Sequence, residues 1–415
     1  MTSLTNKPTR RHGGFMATAI RSKSSPAFLL SSLPQTQPSC EGDGDLDVVP
    51  SCGDLIDLRK LKDKNTLAQV VLNIARKVLP EWQTATHVEL ERVSGAMTNA
   101  VYFMSAPNHP CVLLRVYGIG ADQLVDRQHE LEWLARLSRM STSLSPQLLA
   151  TFGNGRFEEY LDSTTLTHDD IHDSDISQQI AQSLRQLHDV VQYYPPPSGD
   201  DSSVRIEAWK DISQWYTFMR ELLNQQEWKE KLNFLELDKL PKEIELCKNY
   251  IERFPSPIIF AHNDTQYGNV LQLEKTGELV VVDFEYAGYN PRGFDIANHF
   301  CEWMYNYHGN NPASMDLEKF PNDEEQLRFL SAYIDAGEED DTDNNSNNNM
   351  TKDMDPKELQ QEVLRWVMVS HLVWALWGLV QASQSEIDFD YFHYFTQRLQ
   401  MFRKLLYQSL EEEQQ

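Results

Sequence analysis

The spacing of apolar residues predicts helices toward both ends of the chain and short strands between them. Apolar positions at helical spacing predict a first helix over 65–79, and Pro80 ends it. Three β-type segments follow, at 87–93, 100–105 and 111–117. A longer amphipathic pattern then predicts a helix over 122–140, and a further strand is expected at 148–152. This order of elements is typical of a small nucleotide-binding lobe.

From residue 176 onward the pattern is mainly helical, with one β-rich interruption. The interruption contains apolar runs at 257–261, 270–273 and 279–282. Two more helices, over 356–383 and 391–410, close the fold. The most apolar stretch, 366–380, is shorter than the roughly 20 residues that a membrane span needs, so it predicts a buried core helix rather than a transmembrane segment.

Composition separates a folded body from two polar segments. The chain has 415 residues, of which 40% are hydrophobic, which fits one large two-lobed enzyme with a substantial core. Residues 1–60 are predicted to be a disordered tail, followed by an N-terminal lobe over 61–160 and a C-terminal lobe over 161–415. The acidic and Asn-rich segment 335–355 is predicted to be a disordered insertion, since it has few apolar groups to offset its ordering entropy.

The charge of the chain excludes one class of partner. Its formal net charge is −25, which argues against a nucleic-acid binder. The first 40 residues are instead basic and contain no acid, so they form either an organelle transit peptide or a disordered extension, and we favour the extension. The five cysteines include no C-x-x-C pair, which argues against a structural zinc site and a disulfide framework. A reducing, cytoplasmic location is therefore expected.

The strongest chemical signal is a pair of polar motifs, each of which follows a β-type run. Asp264 lies just after the first run, Asn269 follows five residues later, and Asp283 follows fourteen residues after that. This spacing matches the catalytic loop and the metal loop of protein kinases. Two carboxylates and one carboxamide also suit Mg²⁺, which prefers oxygen ligands.

Departures from the protein-kinase pattern indicate a small-molecule kinase. Asn263 stands where protein kinases have Arg, and Glu285 follows Phe284 where they have Gly. No Ala-Pro-Glu segment follows.

The segments 262–269 and 283–303 together resemble the choline/ethanolamine kinase family. The resemblance covers about 60–334 and 356–408, and the Cys301-Glu302-Trp303 ending, continued to Tyr307, looks more like choline kinase. It implies an α+β, bilobal protein-kinase-like fold with a small antiparallel-sheet N-terminal lobe, which binds ATP, and a larger, mainly helical C-terminal lobe, which binds choline.

The resemblance also implies an activity: Mg²⁺-dependent transfer of the γ-phosphoryl group of ATP to the hydroxyl of choline. The product would be phosphocholine, in the first step of the CDP-choline route to phosphatidylcholine. Ethanolamine kinase, dual activity and a catalytically inactive binding protein of the same fold stay open. An aminoglycoside-type phosphotransferase is disfavoured by the Trp pair at 374 and 377. Relatives are often dimers, so a homodimer is expected.

On the phosphate side, the resemblance assigns roles by position. Asp264 would orient the substrate hydroxyl and accept its proton. Asn269 and Asp283 would hold Mg²⁺, with Gln266 nearby. Arg115 would grip the phosphates, with Glu130 as its ion-pair partner. The remaining nucleotide-binding positions are the turn residues Ser94, Gly95, Thr98 and Asn99 and the hinge residues Glu159 and Leu161.

Choline is a quaternary ammonium without an N–H donor, so its recognition needs aromatic faces and negative charge. Trp374 and Trp377 are three residues apart on one predicted helix and so share a face. With Asp264, the implied substrate-binding residues are Tyr286, Glu302, Tyr307, Trp374, Trp377, Phe389 and Tyr394. The remaining residues of interest are predicted to be structural: Trp366, His188 and His371 as core residues, and Arg292 with Asp295 as an ion pair.

Overall fold

The computed structural model describes residues 49–61, 63–93, 99–117, 126–140, 144–197, 205–339, 354–385 and 387–413. Predictions for the basic tail up to residue 48, for the turn at 94–98 and for the centre of the acidic insertion at 340–353 lie outside these residues.

The N-terminal lobe is one six-stranded sheet with two helices. Its strands are β1 (Ser51–Cys52), β2 (Glu89–Val93), β3 (Asn99–Ala106), β4 (His109–Tyr117), β5 (Leu148–Phe152) and β6 (Gly155–Glu159). Their order in the sheet is β1-β5-β6-β4-β3-β2, and every neighbouring pair is antiparallel except β1 with β5. The helices are α1 (Lys64–Val78) and α2 (Arg127–Leu137). The sheet is therefore mixed rather than wholly antiparallel.

The sheet packs one face on α1 to form the core of this lobe. Alternate residues of β4 point into it: Val112, Leu114 and Val116 are buried. The apolar stripe of α1 meets them, and Trp82 closes the end of the core just after the helix. This arrangement leaves the ends of β4 and β6, with their charged residues, directed toward the second lobe.

The sheet begins earlier in the chain than the sequence predicts. β1 pairs with β5, and Ile56 is buried in the core. The side-chain amide of Asn154 holds the backbone of Ile56 through two hydrogen bonds of 2.8 Å. The prediction of a disordered tail up to residue 60 is therefore wrong for residues 49–60, because a short strand with one apolar residue gives too weak a periodic signal.

The C-terminal lobe is mainly helical. Its helices are α3 (His168–Ile171), α4 (Ser174–His188), α5 (Glu207–Leu222), α6 (Gln226–Leu232), α7 (Leu240–Ile251), α8 (Arg292–Glu302), α9 (Asp323–Glu339), α10 (Pro356–Gln384) and α11 (Tyr391–Glu412). Its strands are β7 (Ser163–Thr165), β8 (Ile258–Ala261), β9 (Val270–Leu273), β10 (Leu279–Val281) and β11 (Gly288–Pro291). They form a three-stranded sheet, β10-β9-β7, and a two-stranded sheet, β11-β8. Together with the first lobe they give the predicted bilobal fold.

Helix α10 is the centre of the larger lobe and packs against α5, α8, α9 and α11. Within the described residues it alone is long and apolar enough to cross a membrane, but 83% of its most apolar window is buried inside the protein. Its apolar surface is therefore used for packing, as predicted. Trp366 on this helix is buried against Trp209 and Phe294, which confirms its interpretation as a core residue.

The predicted insertion at 335–355 is wrong at both ends. Helix α9 continues to Glu339, and a Cβ at Gly337 would collide with the guanidinium of Arg185 on α4, so glycine permits this close packing. At the other end, Asp355 caps α10 by accepting a hydrogen bond from the backbone N–H of Lys357 at 2.9 Å.

Candidate active site

The loop after β8 is fixed from beneath by one buried carboxylate. Asp295 on α8 accepts hydrogen bonds from the backbone N–H groups of His262 at 2.9 Å and Asn263 at 2.7 Å. It also lies 3.0 Å from Nε2 of His188, whose other ring nitrogen contacts Tyr333, so His188 is a hydrogen-bonded core histidine as predicted. Asp295 therefore holds the backbone that presents the next residue, Asp264.

The predicted ion pair between Arg292 and Asp295 is wrong. Arg292 Nη2 lies 2.6 Å from Glu362 Oε2 on α10 instead. Arg292 and Asp295 both lie in the first turn of α8, but their side chains have different neighbours. Arg292 contacts helix α10, whereas Asp295 contacts the loop after β8.

Asn263 explains one departure from the protein-kinase pattern. Its φ is +67°, a left-handed conformation that asparagine adopts far more readily than most residues. Its side chain donates to the carbonyl of Tyr286 at 2.8 Å and accepts from Asn290 at 2.7 Å. Asn263 thus ties the loop after β8 to the segment after Asp283.

Asp264 and Asn269 are in direct contact. Asn269 Nδ2 donates to both the carbonyl and Oδ2 of Asp264 at 2.9 Å. The turn between them is capped by Gln266, whose side chain accepts from the N–H of Gly268 at 3.0 Å. Because the amide nitrogen of Asn269 faces Asp264, its Oδ1 is directed away from that carboxylate and is the atom suited to a cation.

Asp283 lies on a second strained loop next to the first. Its φ is +70°, and the preceding residue, Val282, donates to the carbonyl of Asn269 at 2.9 Å. The carbonyl of Val282 in turn lies 3.1 Å from Nε2 of His262. These two bonds bring the sites at 264–269 and 283 together, as the sequence spacing predicts. Arg115 Nη1, from the N-terminal lobe, lies 3.2 Å from Asp283.

Negative charge accumulates around Asp264. Burial, together with the charges of Glu302, Asp283 and Glu285, raises its pKa well above the usual range. Burial and the neighbouring Asp283 likewise raise the pKa of Glu285 to about 7. Such an excess of carboxylates is the environment that a bound cation relieves. Within the described residues, no three His, Cys, Asp or Glu side chains cluster as a metal site.

The cation at position 115 has a different partner from the predicted one. Arg115 Nε lies 3.2 Å from Glu158 on β6, whereas Glu130 pairs with Arg156 at 2.8 Å. Arg115 and Arg156 are direct cross-strand partners, and Glu158 contacts both guanidinium groups. The prediction of an Arg115–Glu130 pair is therefore wrong in its contact. Burial lowers the pKa of Arg115, but the charges of Asp283, Glu158 and, least, Glu130 raise it overall.

Arg127, at the start of α2, was not predicted as part of the site. Its Nη1 lies 2.9 Å from Glu130 and 3.3 Å from Glu285. It thereby links the helix of the small lobe to the segment immediately after Asp283. We call the connected set Arg115, Arg127, Glu130, Arg156, Glu158, Asp283 and Glu285 the interlobe ion network.

The periodicity that predicts helices and strands does not identify ion-pair partners. The contact between Arg127 and Glu285 is therefore seen only in the folded structure.

The predicted nucleotide-binding turn and hinge are only partly described. Ser94, Gly95 and Thr98 lie outside the described residues, and of Asn99 only the backbone, at the start of β3, is described. Glu159 ends β6, and Leu161 follows in the short connection to β7, which joins the two lobes. The predicted hinge residues therefore lie between the last strand of the small lobe's sheet and the first strand of the large lobe.

The predicted substrate-binding aromatic residues form one connected cluster. The rings of Trp374 and Trp377 meet edge to face with centroids 5.3 Å apart. Tyr286 contacts Trp374 at 5.4 Å, and its hydroxyl accepts from Trp377 Nε1 at 2.9 Å. Tyr394, Phe389 and Tyr307 continue the cluster, with centroid distances of 6.1 Å from Trp377 to Tyr394, 5.9 Å from Tyr394 to Phe389 and 6.3 Å from Phe389 to Tyr307. We call this set of six rings the aromatic box.

The aromatic box has a buried floor and a more accessible edge. Tyr286, Trp374 and Tyr394 are buried, whereas Trp377, Phe389 and Tyr307 retain partial exposure. Asn263, the residue before Asp264, donates to the carbonyl of Tyr286 at 2.8 Å, and the ring centroids of Tyr267 and Tyr307 are 5.9 Å apart. The box therefore lies beside the loop that carries Asp264. After burial, the charge of Asp264 also helps to raise the pKa of Tyr286 and Tyr394.

Two further rings join the box without having been predicted. Tyr391 lies 5.7 Å from Trp377, and Tyr305 lies 5.0 Å from Tyr394 and is stacked with Tyr307. Tyr305 is two residues from Tyr307, and that proximity in sequence was the signal that could have identified it.

Glu302 adjoins the box but is not a free charge. Its Oε2 accepts from the hydroxyl of Tyr307 at 2.6 Å, and its Oε1 lies 2.6 Å from Arg398 Nη2 on α11. Cys301, beside it, is buried, and His371 is buried next to Arg398.

Comparisons with known proteins show the family of this chain. Residues 90–403 match the family model described as choline/ethanolamine kinase. A protein of Arabidopsis thaliana named probable choline kinase 2 is 32% identical over 344 residues, which cover 81% of this chain and 91% of that relative. A human protein named choline/ethanolamine kinase is 32% identical over 348 residues, which cover 79% of this chain and 81% of that relative.

A solved structure with the same architecture is the ethanolamine kinase of Plasmodium vivax. It superposes with a TM-score of 0.66 at 23% identity and covers 83% of this chain and 91% of its own. The two-lobed arrangement observed here is therefore a known protein-kinase-like fold.

Proposed function

Because the chain belongs to the choline/ethanolamine kinase family, whose members use ATP, we propose that it is a choline kinase that makes phosphocholine. The observation that carries the proposal is the position of the aromatic box beside Asp264. An alcohol whose cationic end lies among rings would have its hydroxyl directed to that carboxylate. Phosphocholine formed in this way would enter the CDP-choline route to phosphatidylcholine.

Each residue of the catalytic loop has a definite task in this reaction. Asp264 accepts the proton of the choline hydroxyl as its oxygen attacks the γ-phosphorus, and ADP leaves. The amide of Asn269 fixes the orientation of that carboxylate through its bond to Oδ2. Arg115 stands at the end of β4 facing Asp283, where it would neutralise charge that develops on the transferred phosphoryl group.

Asn269 Oδ1 and the carboxylate of Asp283 would hold Mg²⁺. When bound, the ion would neutralise the negative charge on the phosphates. Two protein ligands suffice for this ion, because Mg²⁺ usually keeps water and phosphate oxygens in its shell. The carboxylate excess around Asp264 supports a cation at this place.

ATP would lie between the lobes. The backbone at 159–161 would bind adenine, and the turn that contains Ser94, Gly95 and Thr98 would cover the phosphates, followed by Asn99 at the start of β3. Gln266 would act through the capped turn that positions Asn269.

Ethanolamine is the second candidate substrate, since the human relative is named for both amines. A primary ammonium needs hydrogen-bond acceptors, whereas the box offers mainly ring faces, and Glu302, the carboxylate bonded to Tyr307, already has two partners. Purified protein with ATP, Mg²⁺ and each amine, followed by ADP release, tests this. We expect choline to have the higher kcat/KM, and a tenfold preference for ethanolamine would overturn the assignment.

A catalytically inactive binding protein of the same fold predicts no ADP release with either amine. The contact of Asp264 with Asn269 and that of Asp283 with Arg115 count against it. The same assay decides between the two.

The protein would act in the cytoplasm and as a homodimer, by analogy with the family. Imaging a form that lacks residues 1–40 beside the full chain tests the first point, and an unchanged distribution is expected. Light scattering of the purified protein tests the second, and a mass near 48.0 kDa would contradict it.

A further inference from the structure

The protein places a cation of its own, the guanidinium of Arg398, against the rings of the aromatic box. The guanidinium of Arg398 lies 4.6 Å from the ring centroid of Tyr305 and 5.1 Å from that of Tyr394. Arg398 is fully buried, and its nearest carboxylate is Glu302, at 2.6 Å. A residue that already occupies a cation–π position behind these rings repels any second cation that approaches them.

Glu302 therefore faces a charge of the protein itself. It is only 2% exposed, and both of its oxygens are engaged, one by Arg398 and the other by Tyr307. A carboxylate in this position is neutralised before a substrate arrives. Its importance for a cationic substrate then comes from cancelling Arg398, which would otherwise lie unpaired at low dielectric beside the box.

We infer that Arg398 is a positioning residue of the substrate site, and that Glu302 acts through it by cancelling its charge rather than by serving as the counter-ion of the substrate. The pair also fixes the rings of Tyr305, Tyr307 and Tyr394, which it contacts from behind. This inference rests on the proposed function, because it takes a quaternary ammonium as the occupant of the box.

The inference predicts a rescue. Glu302→Gln keeps the shape and the acceptor for Tyr307 but leaves Arg398 uncompensated, so the KM for choline should rise at least about tenfold. The double variant Glu302→Gln/Arg398→Met removes both charges and should return the KM for choline to within about threefold of wild type. Arg398→Lys, which keeps the charge, should resemble wild type more than Arg398→Met does.

A neutral isostere separates charge from shape. 3,3-Dimethylbutan-1-ol has the form of choline without its charge, so its affinity, measured by calorimetry, should be nearly equal in wild type and Glu302→Gln. A merely structural role of the pair would weaken both ligands in parallel.

A matched control is the pair Arg292–Glu362, in which Arg292 is buried, and which is also 2.6 Å long and also anchored on α8. It begins the helix that Glu302 ends, about 15 Å away. Arg292→Met/Glu362→Gln should leave the ratio of choline affinity to isostere affinity unchanged.

A double variant as poor as Glu302→Gln alone would overturn the inference, since Glu302 would then be the direct counter-ion. That result leaves the proposed function intact if the wild type phosphorylates choline. A wild type that neither binds nor phosphorylates choline would overturn both.

Discussion

The two ends of the active site solve their electrostatic problems in different ways. The phosphate end, around Asp264 and Asp283, contains the interlobe ion network, in which arginines of the small lobe pair with carboxylates of both lobes. The amine end is the aromatic box, where rings predominate and the adjoining ion pair Arg398–Glu302 is internally neutral. At the phosphate end, charged side chains stabilise the negative charge of the reacting phosphate. At the amine end, ring faces bind the permanent positive charge of the amine, which has no proton to donate.

The largest effect is expected from the residue at which both ends meet. Asp264→Asn removes the proton acceptor while it preserves size, so kcat should fall by about a thousandfold, with little change in the KM for choline. Steady-state kinetics with ADP detection measures it. Retention of full phosphoryl transfer would show that the two ends do not meet at Asp264.

His299 lies beneath both ends, and we expect it to make stability depend on pH. Its Nδ1 contacts the carbonyl of Thr265 at 2.8 Å, and its Nε2 accepts from Trp303 at 3.2 Å, which requires a neutral ring. Burial lowers its pKa from 6.5 to about 4. Between these values the unfolded chain takes up a proton that the folded chain does not, so the free energy of unfolding should decrease as pH falls from 6.5 to 4, by about 3 kcal/mol in all.

Chemical denaturation at a series of pH values tests this effect. His299→Gln should flatten the curve in that window, with the exposed His87→Gln variant as a control for the substitution itself. An unchanged slope in His299→Gln would contradict the assignment.

Breaking the network from the small lobe should weaken the phosphate end alone. Arg127→Met leaves Glu285 without the guanidinium at 3.3 Å, so kcat/KM for ATP should fall by about tenfold to a hundredfold. The KM for choline at saturating ATP should change little. The neighbouring exposed Gln128→Ala is a matched control on the same helix, and equal losses for both amine and nucleotide would indicate general unfolding instead.

Breaking the box should weaken the amine end alone, by the smallest of these amounts. Trp377→Ala removes a partly exposed ring at its edge, so the KM for choline should rise about tenfold while kcat stays near wild type. Trp228→Ala, on α6, removes a ring that stacks on Lys231 outside the site and is the control. An unchanged KM for choline in Trp377→Ala would contradict a cation–π contact between choline and this ring.

The amine end was far easier to predict from sequence than the phosphate network. Trp374 and Trp377 share a face because helix geometry is local, and the predicted helix over 356–383 is found as Pro356–Gln384. Likewise Asp264, Asn269 and Asp283 are placed by strand ends, and the runs that define those ends are observed at Ile258–Ala261 and Leu279–Val281.

Ion partners could not be predicted in this way. Whether Arg115 meets Glu130 or Glu158 depends on strand register and on the packing of α2, neither of which is written in local periodicity. The same reason explains the error at Arg292, whose partner Glu362 is 70 residues away. The predicted limits of the disordered segments were wrong where a tertiary contact orders the chain, as with Ile56 and its hydrogen bonds to Asn154.

The strand at Ser51–Cys52 has a practical consequence for handling this protein. It is the outermost strand of the sheet and covers the edge of Leu148–Phe152. A chain shortened to residue 61, the predicted start of the lobe, would uncover that edge and leave a hole where Ile56 packs. Uncovered strand edges recruit other chains, so such a fragment should aggregate, whereas one that begins before residue 49 should remain dispersed.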